Sequence, residues 1–247
     1  MELFNTNFLL LFCLLLAVVA FLYASVGHGG ASGYLAIMAI FSFSISVMKP
    51  SALLLNLFVS GISFIFYYKK DFFKPKLFYP FAITSVPAAF IGGMIPLENS
   101  FYKLLLGVVL VLAALRLLGF FNKNEKEITK INIPLAMAIG FGIGLLSGML
   151  GIGGGVILSP ILLLLGWASI KQTAAISSLF IFVNSFAGLS GYFFSGKSFP
   201  IESFYFVPIA ILGGILGAYF GSGHFSNKVL KLVLATVILM ASVKLIV

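Results

Sequence analysis

Acidic side chains are scarce: the 247 residues carry six, Glu2, Asp71, Glu98, Glu125, Glu127 and Glu202, each at the end of an apolar run or between two runs. No carboxylate is left for the interior of those runs, where a dehydrated metal or alkali cation would need oxygen-rich ligands. Cysteine occurs once, at Cys13, which excludes a disulfide framework within one chain and reads as a small packing residue. Histidine occurs twice, at His28 and His224, and the only nucleophile and base that could be paired, Ser32 with His28, lack an orienting carboxylate. The glycine-rich turns lack the Gly-Lys-Ser/Thr ending of a P-loop, so no ATP site and no cofactor is expected. The first residues, Met1–Asn5, have neither a basic n-region nor a small-residue cleavage site, and the apolar run after them reads as a retained span.

What is present is apolar. Hydrophobic residues make up 61% of the chain and charged ones 9%, which places it in a lipid bilayer and leaves no room for a soluble catalytic domain. Turn and charge signals divide it into runs near 7–25, 31–45, 50–68, 77–95 and 101–120, then 133–150, 155–167, 172–195, 202–220 and 227–246. The second run of each half is too short for the ~30 Å hydrocarbon core and reads as a half-helix, a tilted short span or a re-entrant arm. The net charge of +9 comes from basic residues scattered over loops rather than from a stripe, so it reports membrane topology and not a nucleic-acid partner.

Two glycine-rich breaks interrupt these runs, Gly27-His28-Gly29-Gly30 and Gly151-Ile152-Gly153-Gly154-Gly155, 124 residues apart. The register between the halves continues beyond them. Lys49-Pro50-Ser51-Ala52 lies over Lys171-Gln172-Thr173-Ala174, Asn56 over Ser178, and Lys103 and Arg116 over Lys231 and Lys244. The expected fold is an all-α polytopic membrane protein of two homologous repeats, residues 1–121 and 133–247, joined by a charged cytoplasmic linker at 122–132, with four to five hydrophobic segments in each. If the repeats are inverted, 11 basic residues lie on the side of the basic loop 69–76 and 4 on the other; if parallel, 10 and 5. Inversion is favoured because hairpins entering from opposite faces bring both breaks to one central site.

Unwound backbone in a bilayer costs several kcal/mol per unpaired group, roughly, unless protein, water or a ligand satisfies it. Glycine turns ahead of half-helices starting near Ala31 and Val156 present N–H groups and positive dipole ends, an arrangement that suits an anion. The candidate substrate-binding residues are Gly27, His28, Gly29, Gly30 and Ser32 in the first break, Gly151, Gly153, Gly154 and Gly155 in the second, and Asn56, Ser177 and Ser178 on the following spans. Each has a plainer reading: the glycines permit close helix packing, the serines bond back to their own helix, and a lone histidine satisfies itself in a core. Gly92, Gly213, Gly214 and Gly217 take the packing reading. Lys49 and Lys171, at span starts, could draw anions into a vestibule or simply snorkel.

The segments Val26-Gly27-His28-Gly29-Gly30-Ala31-Ser32-Gly33-Tyr34-Leu35 and Gly151-Ile152-Gly153-Gly154-Gly155-Val156-Ile157-Leu158-Ser159-Pro160, with Ala174-Ala175-Ile176-Ser177-Ser178 downstream, resemble the sulfite exporter TauE/SafE family. The resemblance implies a secondary transporter of sulfur-containing anions such as sulfite, thiosulfate or sulfonates, working by alternating access. A carrier without an ATP site draws on a coupling ion, here a proton or sodium, and can assemble as a homo-oligomer. Two other readings stay open at this stage: a metal-cation carrier using His28, and a membrane-embedded enzyme or scaffold that transports nothing.

Overall fold

The computed structural model describes residues 6–119, 128–222 and 228–246; Glu2, Glu125, Glu127, His224 and linker residues 122–127 lie outside the described residues. Among the described residues there are ten α-helices and no strand: α1 Thr6–Ala24, α2 Ala31–Ile40, α3 Ile45–Tyr68, α4 Pro75–Met94, α5 Asn99–Leu117, α6 Ile133–Leu150, α7 Gly155–Leu164, α8 Ile170–Phe194, α9 Val207–Ser222 and α10 Lys228–Ile246, with a 3-10 turn at Ile201–Phe206 leading into α9. Five of these segments are long and apolar enough to cross a bilayer: α3, α4, α6, α8 and Ile201–Ser222. Large apolar side chains such as Leu14, Ile83, Phe186 and Leu212 point outward, where lipid is the better solvent. The chain is a multi-pass integral membrane protein.

Local chemistry explains where the helices start and stop. A capping box, Ser169 with Gln172, opens α8, and Asn132 accepts from the Leu135 N–H to open α6. Gly151, left-handed at φ 81, closes α6. Several boundaries differ from those expected. The second segment of each half is a helix of 10 residues, about 15 Å at 1.5 Å per residue, so α2 ends at Ile40 rather than 45 and α7 at Leu164 rather than 167. Ser42 adopts φ 59 in the turn that ends α2. Helix α3 starts at Ile45, five residues ahead of Pro50, which the sequence reading took as its first residue. Proline there leaves the Ser46 carbonyl without its helical donor, and the Tyr192 hydroxyl donates to it at 3.3 Å.

Glycine faces set the helix directions. On α9, Gly213 and Gly217 lie against the backbone of Ala17 and Phe21 on α1, and Gly221 against Ser25 just after it, so the two helices run parallel. On α6, Gly140, Gly144 and Gly148 lie against Phe81, Ser85 and Ala89 on α4, again parallel. Small residues four apart let backbones touch, which is how helices associate where lipid removes the hydrophobic drive between them. Gly92 and Gly214 pack similarly, against α6 and α3. By contrast α3 and α8 cross antiparallel: Lys49 at the start of α3 lies over the Tyr192 ring near the end of α8, and Lys171 at the start of α8 over the Tyr67 ring near the end of α3. The upper face is defined here as the one where α3 begins, the lower as the one where it ends. Helices α2 and α10 pack together, as do α7 and α5, and α3 packs on α9 as α8 does on α4.

Candidate functional site

Both glycine breaks end at the middle of the crossing α3 and α8. Asn56, the midpoint of α3, is fully buried and touches both of them. Its Oδ1 accepts from the Ala31 N–H at 3.0 Å, capping half-helix α2, and its Nδ2 donates to Ser185 Oγ of α8 at 3.3 Å. A Cβ on Gly29 would run into the Asn56 carboxamide, and one on Gly153 would lie 2.6 Å from Asn56 Nδ2 and 2.7 Å from Ile181 Cγ2. Glycine is required at these two positions because a side chain, Asn56, already occupies the volume.

His28 bridges the breaks. Its Nδ1 lies 2.9 Å from the Val26 carbonyl, while Nε2 lies 3.1 Å from the Gly155 carbonyl and 2.8 Å from Ser159 Oγ. Ser159 Oγ is in turn 2.7 Å from Ser177 Oγ, so a hydrogen-bonded chain runs from the first break through α7 to α8. A neutral ring donates from one nitrogen only: in the Nδ1–H tautomer it donates to the Val26 carbonyl and Nε2 can accept from Ser159, and in the other tautomer Nε2 faces the Gly155 carbonyl as donor. A protonated ring can donate at both ends, to Val26 and to Gly155 or Ser159.

Half-helix α7 has no side-chain cap, and the N–H groups of Gly153, Gly154, Gly155 and Val156 have no acceptor among the described residues. All four residues are buried. Four N–H groups at a helix start, inside a membrane protein, make a locally positive end. Beside the other break, a Cβ on Gly30 would come within 2.7 Å of the Tyr34 hydroxyl, which is buried and has no hydrogen-bond partner among the described residues. No carboxylate balances this charge pattern among the described residues: Asp71, Glu98 and Glu202 are all exposed. Nor do three metal-ligating side chains stand together among them.

A profile described as sulfite exporter TauE/SafE matches residues 11–245. The chain belongs to the sulfite exporter TauE/SafE family. It is 36% identical over 232 residues, 92% of this chain and 94% of the relative, to a probable membrane transporter protein of Sinorhizobium fredii. It is 29% identical to one of Haemophilus influenzae, covering 76% of this chain and 73% of that one, and 27% identical to one of Bacillus subtilis over 64% of each. No solved structure matches. The protein is a membrane transporter of the TauE/SafE type.

Within this TauE/SafE transporter the junction gathers His28, Gly29, Asn56, Gly153, Gly154, Gly155 and, through Ser159, Ser177. Other candidate residues point elsewhere. Gly27 and Gly151 adopt φ 74 and 81 and turn toward the first turns of α8 and α3, against Ala174 and Lys49. Ser32 is 2.6 Å from the Tyr23 hydroxyl, and Ser178 donates to its own helix at Ala175 O. Three contributors were not picked out from sequence: Ser159, Ser185 and Tyr34. Ser159 had a legible signal, since it stands one helical turn after Gly155 and so on the same side of α7.

Proposed function

We propose that this TauE/SafE transporter is a secondary carrier of a small anion, a sulfur oxyanion or organosulfonate, which binds at the junction of the two glycine breaks and moves by alternating access. The observation that carries the reading is the set of four buried N–H groups at the start of α7 that have no acceptor among the described residues, in a junction where those residues place no carboxylate. An oxyanion presents several acceptor oxygens to such donors, and the Tyr34 hydroxyl and Asn56 amide add side-chain donors. His28 can carry a proton alongside the anion, which makes a proton the coupling ion on this reading. The junction has a histidine and serines but no carboxylate to orient them, so the reading is of a carrier and not an enzyme.

The contacts support two inverted repeats, residues 1–121 and 133–247. Helices α1 and α6 hold the same place in the two halves, as do α4 and α9; α9 packs on α1 as α4 packs on α6, and the equivalent α3 and α8 cross antiparallel. Inversion with the basic loop 69–76 cytoplasmic puts the C-terminus on the opposite side. A C-terminal reporter active only in the cytoplasm is therefore expected to stay silent, and a strong signal would contradict the arrangement.

Purified protein in proteoliposomes tests the function directly. Uptake or efflux of sulfite, thiosulfate or a sulfonate, with sulfate and divalent metals as comparisons, is the expected result; metal flux without anion flux would overturn it. Tyr34→Phe removes a buried hydroxyl that bonds to nothing among the described residues, so thermal stability should hold or rise. Anion Kd should nevertheless weaken about tenfold, equivalent to about 1.4 kcal/mol. An unchanged Kd would take Tyr34 out of the site.

A further inference from the structure

Lysine 49 is 5% exposed, and its ammonium has one acceptor among the described residues, the Gly93 carbonyl at 3.2 Å. Gly93 stands in the last turn of α4, so part of the role is to cap that helix, but capping uses one of three N–H donors. A second cation shares the same corner: the Lys197 ammonium lies 5.4 Å from the centroid of the Tyr192 ring, and that of Lys49 lies 5.8 Å from it. No salt bridge to either is formed among the described residues. Two ammonium groups about one aromatic ring, one of them buried, are costly without a counter-charge.

The placement relates this corner to the junction. Lys49 precedes Asn56 by seven residues, which puts it on the same face of α3 and about 10 Å toward the upper face. Its side chain also borders the second break: a Cβ on Gly151 would lie 3.2 Å from Lys49 Cγ. The face continues the other way through buried Ser60 and Ser63 to Tyr67. On α8 the same spacing gives Lys171, Ser178, Ser185 and Tyr192. Because α3 and α8 are antiparallel, these two polar rows run in opposite senses from one membrane face to the other, with a lysine and a tyrosine at each end and the Asn56–Ser185 hydrogen bond joining them at the middle, while Ser63 donates to Ala24 O and Ser178 to its own helix. The lower end has the same lysine–tyrosine pairing, Lys171 donating to Gly221 O at 2.9 Å and Ser222 O at 3.4 Å at the end of α9 and lying 5.9 Å from the Tyr67 centroid.

We propose that Lys49 with Lys197 forms an anion-binding station between the upper face and the central junction, and that Lys171 serves the lower face in the same way. The proposal rests on the anion-carrier reading above. Each station takes the transported oxyanion from its own side before the anion reaches the N–H groups of α7. Lys49 is sealed in this conformer while Lys171 is partly exposed, the inequality that equivalent positions have whenever one end of an alternating-access pathway is closed.

The test is initial-rate transport of sulfite, thiosulfate and methanesulfonate in proteoliposomes of known orientation, with substrate added to one face at a time. Lys49→Met should raise KM about tenfold for anion offered at the upper face, leave KM at the lower face within twofold, and lose the salt dependence of the upper KM; Lys49→Arg should restore it. Lys171→Met should give the mirror result. If Lys49 were only a helix cap, its loss would lower thermal stability and change KM equally or not at all from both faces, which would overturn the station. Should Lys49→Met fail to fold, Lys197→Met, whose side chain caps no helix, must still raise the upper KM severalfold, and an unchanged value overturns the proposal. Wild-type protein inert toward all three anions would remove the carrier reading itself, whereas active wild type with face-independent variants removes the stations alone.

Discussion

Gly153→Ala and Gly29→Ala are expected to abolish anion binding and transport, with losses beyond a hundredfold, and by different routes. Gly153 has φ 71, so alanine there meets the left-handed backbone penalty of about 1 to 2 kcal/mol. Its Cβ also falls 2.6 Å from Asn56 Nδ2, 2.7 Å from Ile181 and 3.0 Å from Ser185 Oγ. Overpacking of this kind adds about 1 to 3 kcal/mol, so Gly153→Ala should melt several degrees lower as well. Gly29 has no positive φ, and its effect comes chiefly from displacing the Asn56 carboxamide that caps α2 and spans both breaks, with Ile181 Cγ2 at 3.0 Å the further contact. Gly29→Ala is thus the cleaner probe. Gly217→Ala supplies the contrast, because Gly217 packs on the Phe21 carbonyl far from the junction and should cost stability while leaving KM unchanged in the protein that remains folded. Thermal melts with and without sulfite separate the cases. Wild-type ligand stabilisation in both junction variants would remove the junction as the binding site.

Much of the architecture was legible in the chain because a bilayer imposes a single strong rule, that apolar runs bounded by turn residues become helices. All ten runs became helices, and the two short ones became half-helices hinged on their glycines. Sequence and structure part where a local signal meets a longer-range one. Pro50 was read as a helix start, whereas Ser46, whose carbonyl it frees, is served from α8 by Tyr192. Within the site, Asn56 was matched with Ser178 because the two occupy equivalent positions. Equivalence in register is not contact: with α3 and α8 antiparallel, Asn56 meets Ser185, two turns further along α8, and Ser178 is left to its own helix. Tyr34 is not legible as a site residue for a related reason. A tyrosine in an apolar run looks like packing, and only the tertiary arrangement shows its hydroxyl lying beside Gly30 without a partner. The glycines were readable since each break carries its requirement in its own sequence; their companions were not, since those come from a helix crossing.

Asn56→Asp should convert the carrier into one whose site is occupied by its own side chain. The substitution preserves shape and keeps an oxygen for the Ala31 N–H at 3.0 Å, so α2 stays capped and the bundle folds. It also removes the Nδ2 donor and puts a carboxylate beside the unpaired N–H groups of α7, close to Gly153. Like charge at close range in a low-dielectric interior disfavours a second anion by several kcal/mol, so sulfite, thiosulfate and sulfonate transport at neutral pH should fall by at least a hundredfold. Asn56→Ala controls for loss of the amide alone; it uncaps α2, costs about 1 kcal/mol of stability, and should weaken transport less than the charged variant does. The order separates the two carrier readings left open by the sequence. An anion site ranks wild type above Asn56→Ala above Asn56→Asp, because the added charge competes with the substrate. A cation site built on His28 reverses the end of that order, because a carboxylate beside it supplies the ligand that the junction otherwise lacks. Divalent-metal flux that rises in Asn56→Asp while anion flux stays absent in wild type would decide for the cation.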